Sequence, residues 1–275
     1  MNFKQREYLP DADRRIERFQ KIVAGRPVAI LAAGPSIYEL EHRIEELRGA
    51  DICYFGLNSY TVQETHILHR INKHFSVVMC SSREGIPKTM NDIINFLDRD
   101  EDNVFISSFW RDTFQLLLDT GFNLQQFFDA YNQKLLFFNL TFGGGVPNTN
   151  NPLHFTVSNS LLVLLQMAII GKASSVVLFG ADGGFKEGAK ECYYRQDDLG
   201  HRGSIDGKIK FGPVETLASD TDTYFNPIAL PALTNLYATY KITPIKILNC
   251  SEDSLYTTFQ KVSYGTAFKH LIEGG

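Results

Sequence analysis

The chain has 275 residues, 44% of them hydrophobic and 21% charged, with a formal net charge of −4. This is ordinary globular composition, long enough to bury a full core, and the negative balance argues against a protein held on nucleic acid by bulk electrostatics. No apolar run approaches the ~18 to 20 residues of a membrane-spanning helix, and the four cysteines, Cys53, Cys80, Cys192 and Cys250, contain no C-x-x-C pair.

The first stretch, MNFKQREYLPDADRRIERF, is charged where a secretory signal would be apolar, so a soluble cytoplasmic protein in a reducing compartment is the expectation. Residues 11 to 24 place Ile16, Phe19, Ile22 and Val23 at helical spacing and stop at Gly25 before Pro27. Seven short apolar runs follow, at 28–33, 52–57, 75–80, 103–108, 134–140, 174–180 and 244–249. Several have apolar residues at consecutive positions, as strands covered on both faces do. Helical patterns lie between them, at 36–48, 61–72, 88–98, 111–119, 157–171 and 227–241. Alternating strand and helix predicts an α/β fold: a Rossmann-like, doubly wound, mostly parallel sheet with helices on both faces. Residues 1–25 read as a leading helix and 26–275 as a single domain, without repeats or linkers.

Two stretches break the rhythm. Residues 141–160, TFGGGVPNTNNPLHFTVSNS, have loop chemistry yet lead straight into the most apolar helix of the chain. Residues 183–223 mix charge and glycine over about forty positions, the length of an active-site lid.

In open α/β sheets, ligands bind at the carboxyl ends of strands where the strand order reverses. Three loops qualify: 33–36 after the first strand, 57–60 after the second, and 180–184 after the strand at 174. Gly34 lets backbone approach a ligand, Pro35 stiffens the turn, and the amides beyond Ser36 would face an anion. The same residues read equally as a capping box, because Ser36-x-x-Glu39 has the spacing of reciprocal side-chain caps worth about 1 kcal/mol. No G-x-G-x-x-G fingerprint is present, since Ala32 stands where its first glycine would be.

Asn58 offers an amide suited to a ribose or base edge, or to a turn. Ser158, Asn159 and Ser160 bring hydroxyls and an amide to the start of the apolar helix, where one alone would suffice as a cap. Asp182 could meet a sugar hydroxyl, hold Mg²⁺ or cap a turn. Within the long polar segment Tyr193 and Tyr194 supply phenols, and His201, its only histidine, is the candidate general acid or base. His66 and His69 stand one turn apart but find no third metal ligand at a recognisable spacing, so they read as helix-surface residues.

The ordered series AGPS at 33–36, Asn58, the Ser-Asn-Ser helix start and VLLQMAIIGKASSVVLFGAD at 163–182 resembles one superfamily. It joins the bacterial sialyltransferases of the Campylobacter type, the flagellin-modifying motility-accessory-factor glycosyltransferases and the archaeal 6-hydroxymethylpterin diphosphokinase-like domain (domain of unknown function 115). The resemblance runs over roughly residues 26–255 and includes the late ILNCSEDSLY. It implies a nucleotide-dependent transferase in which Gly34, Pro35, Ser36, Asn58, Ser158, Asn159, Ser160 and Asp182 contact a nucleotide, and Tyr193 or Tyr194 steadies the departing phosphate. The family's base is a histidine shortly before the last long helix; residues 219–227 here have none, so either His201 takes that role from the lid or the chemistry does not need that base.

By this resemblance the activity is glycosyl transfer, with a sialic-acid-like nonulosonic sugar leaving cytidine monophosphate (CMP) for an acceptor hydroxyl. The partners are then a nucleotide-sugar donor and a glycan or glycoprotein acceptor, and no metal cofactor is required. A homo-oligomer is compatible with this reading. The alternatives are transfer of diphosphate from ATP to a pterin-type alcohol, with Mg²⁺ held by Asp182, and a non-catalytic binding or scaffold module.

Overall fold

The computed structural model describes residues 12–34, 36–57, 60–80, 90–99, 102–108, 117–119, 121–141, 154–156, 160–183 and 225–273. Nine strands form one sheet: β1 (Pro27–Leu31), β2 (Cys53–Leu57), β3 (Val77–Met79), β4 (Val104–Ser108), β5 (Leu135–Thr141), β6 (His154–Thr156), β7 (Ser175–Phe179), β8 (Lys246–Asn249) and β9 (Gln260–Lys261). Their spatial order is β6-β5-β4-β3-β2-β1-β7-β8-β9, and all eight neighbouring pairs are parallel. The seven predicted strands are therefore present, joined by two short ones at the sheet edges. β6 falls within a stretch expected to be loop, where three residues are too few for a pattern to declare itself.

Eight helices are described: α1 (Ala12–Val23), α2 (Ile37–Arg43), α3 (Tyr60–His66), α4 (Met90–Arg99), α5 (Leu124–Tyr131), α6 (Ser160–Ile170), α7 (Asn226–Tyr240) and α8 (Tyr264–Ile272). Short 3₁₀ turns at Ile44–Leu47 and Leu68–Ile71 continue α2 and α3. Alternation along the strands separates two cores. Ala29, Leu31, Tyr54, Val78 and Phe179 face one layer, where α2, α3, α4, α5 and α8 pack, while Val28, Ile30, Phe55, Met79 and Leu178 face α1, α6 and α7. Because both faces are covered, every residue of β1, β2 and β7 is buried.

α6 is buried from Leu161 to Ile170, including Gln166, whose amide donates back to the Leu162 carbonyl at 3.2 Å. A helix apolar on every side must be enclosed on every side. The sheet covers it together with α1 and α7, and Gly171 just beyond it leaves room for Val23, which a Cβ there would approach to 2.8 Å. The leading helix α1 thus packs into the core of the domain, with Phe19 and Val23 fully buried, and Gln20 donates to the last carbonyl of α6, that of Ile170, at 2.9 Å.

The strand order reverses between β1 and β7. β1 continues through α2 on one face, and the connection from β7 to β8 runs through α7 on the other. Connections that diverge to opposite faces from adjacent parallel strands leave a crevice at their carboxyl ends.

Candidate functional site in the crevice between β1 and β7

The loops leaving β1 and β7 touch backbone to backbone. Ala32 N–H donates to the Phe179 carbonyl and Gly34 N–H to the Gly180 carbonyl, each at 2.8 Å, which carries the parallel ladder past both strand ends. No side chain fits between them: a Cβ on Gly34 would lie 2.2 Å from Asp182 Oδ2 and 2.6 Å from the Gly180 carbonyl oxygen. Gly180 is constrained twice, since its φ of +66° favours glycine and a Cβ there would come within 2.5 Å of the Ala32 oxygen.

Asp182 ties three strand ends together. Its Oδ2 accepts the Ser36 N–H at 3.0 Å, its Oδ1 accepts the Ser251 hydroxyl, and its own carbonyl accepts the Leu255 N–H at 2.8 Å. The adjoining Ala181 carbonyl accepts from Ser254 Oγ at 2.7 Å and Asn249 Nδ2 at 3.2 Å. Asn249 Oδ1 in turn receives the Ser251 N–H at 3.1 Å. A carboxylate accepting from a backbone amide makes a charge-assisted bond, stronger than a neutral one. Both oxygens of Asp182 are thereby engaged in holding the β1, β7 and β8 loops in register.

From the α8 side Tyr264 donates its hydroxyl to the Ser36 carbonyl at 2.7 Å. Its phenol is pushed up well above its ordinary pKa, first by burial and then by the negative charge around it, so it stays a donor. From α3 the fully buried Gln63 donates to the Ala32 carbonyl at 2.8 Å.

The capping box does not form. Ser36 has helical backbone angles (φ −59°, ψ −16°) rather than those of a cap and makes no side-chain cap bond, while the Glu39 carboxylate turns to Arg43, 3.2 Å away. Asp182, brought in by the tertiary fold, takes the place of that local cap at the Ser36 amide. Ser36 Oγ and Gln63 Oε1 are both shielded from solvent and have no hydrogen-bond partner among the described residues. Such orphans are uncommon in folded proteins, and each calls for a reason.

Of the residues singled out in the sequence, Gly34, Ser36 and Asp182 meet in this crevice. Ser160 opens α6 on the opposite face of the sheet from α2, half-buried. Pro35, Asn58, Ser158, Asn159, Tyr193, Tyr194 and His201 lie outside the described residues, as does nearly all of the 183–223 segment. Sequence reasoning missed Gln63, Asn249, Ser251, Ser254 and Tyr264. Asn249, Ser251 and Ser254 lie in the ILNCSEDSLY stretch of the resemblance, and the strand end N-C-S at 249–251 has the polar turn chemistry that drew attention to Asp182.

His66 and His69 are exposed, as expected of helix-surface residues, and His69 in addition has Glu64 and His74 beside it, one ligand atom from each of these three lying within 4.8 Å of the others. Among the described residues no helix is long and apolar enough to cross a membrane.

No protein family and no curated protein matches the chain. Among solved structures, the monofunctional alpha-2,3-sialyltransferase Cst-I from Campylobacter jejuni is similar to it, at 15% sequence identity and a TM-score of 0.48, over 85% of this chain and 79% of that one. The Rossmann-like assignment stands on the strand order and the eight parallel pairings of the chain itself.

Proposed function

We propose that this protein is a nucleotide-dependent transferase whose nucleotide lies in the crevice between β1 and β7. The finer reading is a glycosyltransferase that moves a nonulosonic sugar from CMP to an acceptor hydroxyl. The observation that carries the proposal is the Ser36 hydroxyl, shielded from solvent and without a partner among the described residues, at the point where the strand order reverses. A ligand bearing phosphate or hydroxyl groups would give that hydroxyl a partner, and Gln63 Oε1 would accept from a donor of the same ligand.

Gly34 and Gly180 let the two loops approach backbone to backbone, which brings Ser36 to the mouth of the crevice. Asp182, with Ser251 and Asn249, fixes the loops before a ligand arrives, and preorganised donors are what a departing phosphate needs. In this proposal Tyr193 or Tyr194 steadies the phosphate and His201 takes the acceptor proton. In this reading Asp182 holds the loops through both of its oxygens and is not called on to bind Mg²⁺.

Thermal denaturation against CMP, CDP, UDP, ADP and ATP, each with and without Mg²⁺, tests the proposal. A ligand at 100 times its Kd stabilises by about 2.7 kcal/mol, a shift of several degrees for a chain of this size. CMP is expected to raise Tm without metal. A shift with ATP and Mg²⁺ alone would replace glycosyl transfer by diphosphate transfer, and no shift with any nucleotide would leave a non-catalytic module.

A further inference from the structure

At the opposite, amino-terminal edge of the sheet a second constellation has no part in the crevice. α3 delivers Glu64, whose side chain is only 4% exposed. The 3₁₀ turn that follows buries Leu68 and Ile71, which leaves His69 outside. Asn72 then adopts a left-handed conformation (φ 55°), its amide reaching back to the His69 carbonyl at 3.1 Å. That reversal folds His74 against His69, their rings edge to face with centroids 5.2 Å apart. Phe75 anchors the turn in the core, and its N–H donates to Glu64 Oε1 at 3.1 Å.

One imidazole nitrogen from each histidine and one carboxylate oxygen from Glu64 lie within 4.8 Å of one another, both rings being exposed. Tetrahedral zinc, with bonds of about 2.0–2.2 Å to such atoms, wants its ligands roughly 3.4 Å apart. Small side-chain rotations of the two surface histidines close that difference. Two histidines and one glutamate with solvent on the fourth side is an established donor set for zinc.

At present a cation of another kind sits among these atoms. Arg99, the last residue of α4, places one guanidinium nitrogen against Glu64 Oε2 and 3.1 Å from His74 Nδ1. Toward the Arg99 guanidinium, which only donates, His74 Nδ1 acts as an acceptor, the role it would also play toward a metal; the same nitrogen lies 3.4 Å from Glu64 Oε1. The Arg99 side chain is a third exposed and has open water to swing into.

We propose that Glu64, His69 and His74 form a site for a divalent zinc-type ion, and that the ion enters by displacing the Arg99 guanidinium. The buried carboxylate keeps a positive partner in both states. Nδ1 of His74 exchanges a hydrogen bond for a metal bond, and water completes the coordination.

The test is calorimetric titration of the chelator-stripped full chain with ZnCl₂, paired with thermal denaturation in its presence. Wild type is expected to bind one zinc saturably and to gain Tm. His69→Ala and His74→Ala, both surface changes, are expected to weaken binding by about tenfold or more, the scale on which even the supporting partners of metal ligands act. Arg99→Gln, which removes the competing cation, is expected to bind more tightly, and His66→Ala to bind as wild type does. Absence of saturable binding in both wild type and Arg99→Gln overturns the site. Binding that survives in the His69→Ala/His74→Ala double variant also overturns it, and binding unimproved by Arg99→Gln refutes the displacement.

Discussion

At the scale of single residues, Ser36 and Asp182 divide two roles that one local motif would have combined. Asp182 satisfies the Ser36 amide at 3.0 Å, and the serine hydroxyl, shielded from solvent, has no hydrogen-bond partner among the described residues. Ser36→Ala should therefore leave the urea midpoint unchanged or slightly raised, and in the proposed function it should reduce the Tm gain from CMP. A capping serine would have cost about 1 kcal/mol on the same change. Asp182→Ala strips two donors of their acceptor, Ser36 N–H and Ser251 Oγ–H, and should cost about 1–3 kcal/mol in chemical denaturation.

The cysteines make a second argument at this scale. Cys53 and Cys250 are buried free thiols. Burial pushes the Cys53 thiol up to about 11 and raises that of Cys250 as well. Because the thiolate is the nucleophile, a thiol at about 11 is ionised to only about 0.1% at pH 8. The native protein at that pH should leave Cys53 and Cys250 unlabelled by a disulfide reagent over minutes, and mass spectrometry should find both modified once urea is added.

At the scale of elements, the contrast between α6 and α7 shows how burial rather than composition sets the cost of a change. Both are strongly apolar in sequence. Leu164 in α6 is fully enclosed, whereas Leu230 in α7 is 60% exposed. Leu164→Ala should lose about 2–5 kcal/mol through transfer and cavity terms. Leu230→Ala should fall within about 0.5 kcal/mol of wild type, and denaturant titration of the pair measures the difference. The central strands were legible because a strand buried on both faces is a short unbroken apolar run, as in β1, β2 and β7. β6 and β9 were not, since strands of three and two residues at the edges of a sheet carry no period. α5 and α8 escaped notice although each carries a serviceable cap, Asn123 accepting from the Gln126 amide and Ser263 from the Thr266 amide.

At the scale of the whole molecule, the alternation of strands and helices is written in the chain, and so is the presence of small polar turns at strand ends. Local sequence reports local burial and periodicity, and these decide which segments become β1 or α6. Strand order is a different quantity. It depends on which crossovers pack, and the reversal that seats β7 beside β1 joins Ser36 to Asp182 across 146 positions. The capping box failed for the same reason: a carboxylate delivered by the tertiary fold outcompeted the nearby Glu39, which found Arg43 instead. Glu64, His69 and His74 come together only because a left-handed turn at Asn72 folds His74 back and α3 presents the buried Glu64 to it. By itself the sequence determined the fold class, the central strands and the candidacy of Gly34, Ser36 and Asp182. Only the tertiary structure decided which groups face one another, because contacts between distant segments follow from packing the whole sheet at once rather than from any stretch of it.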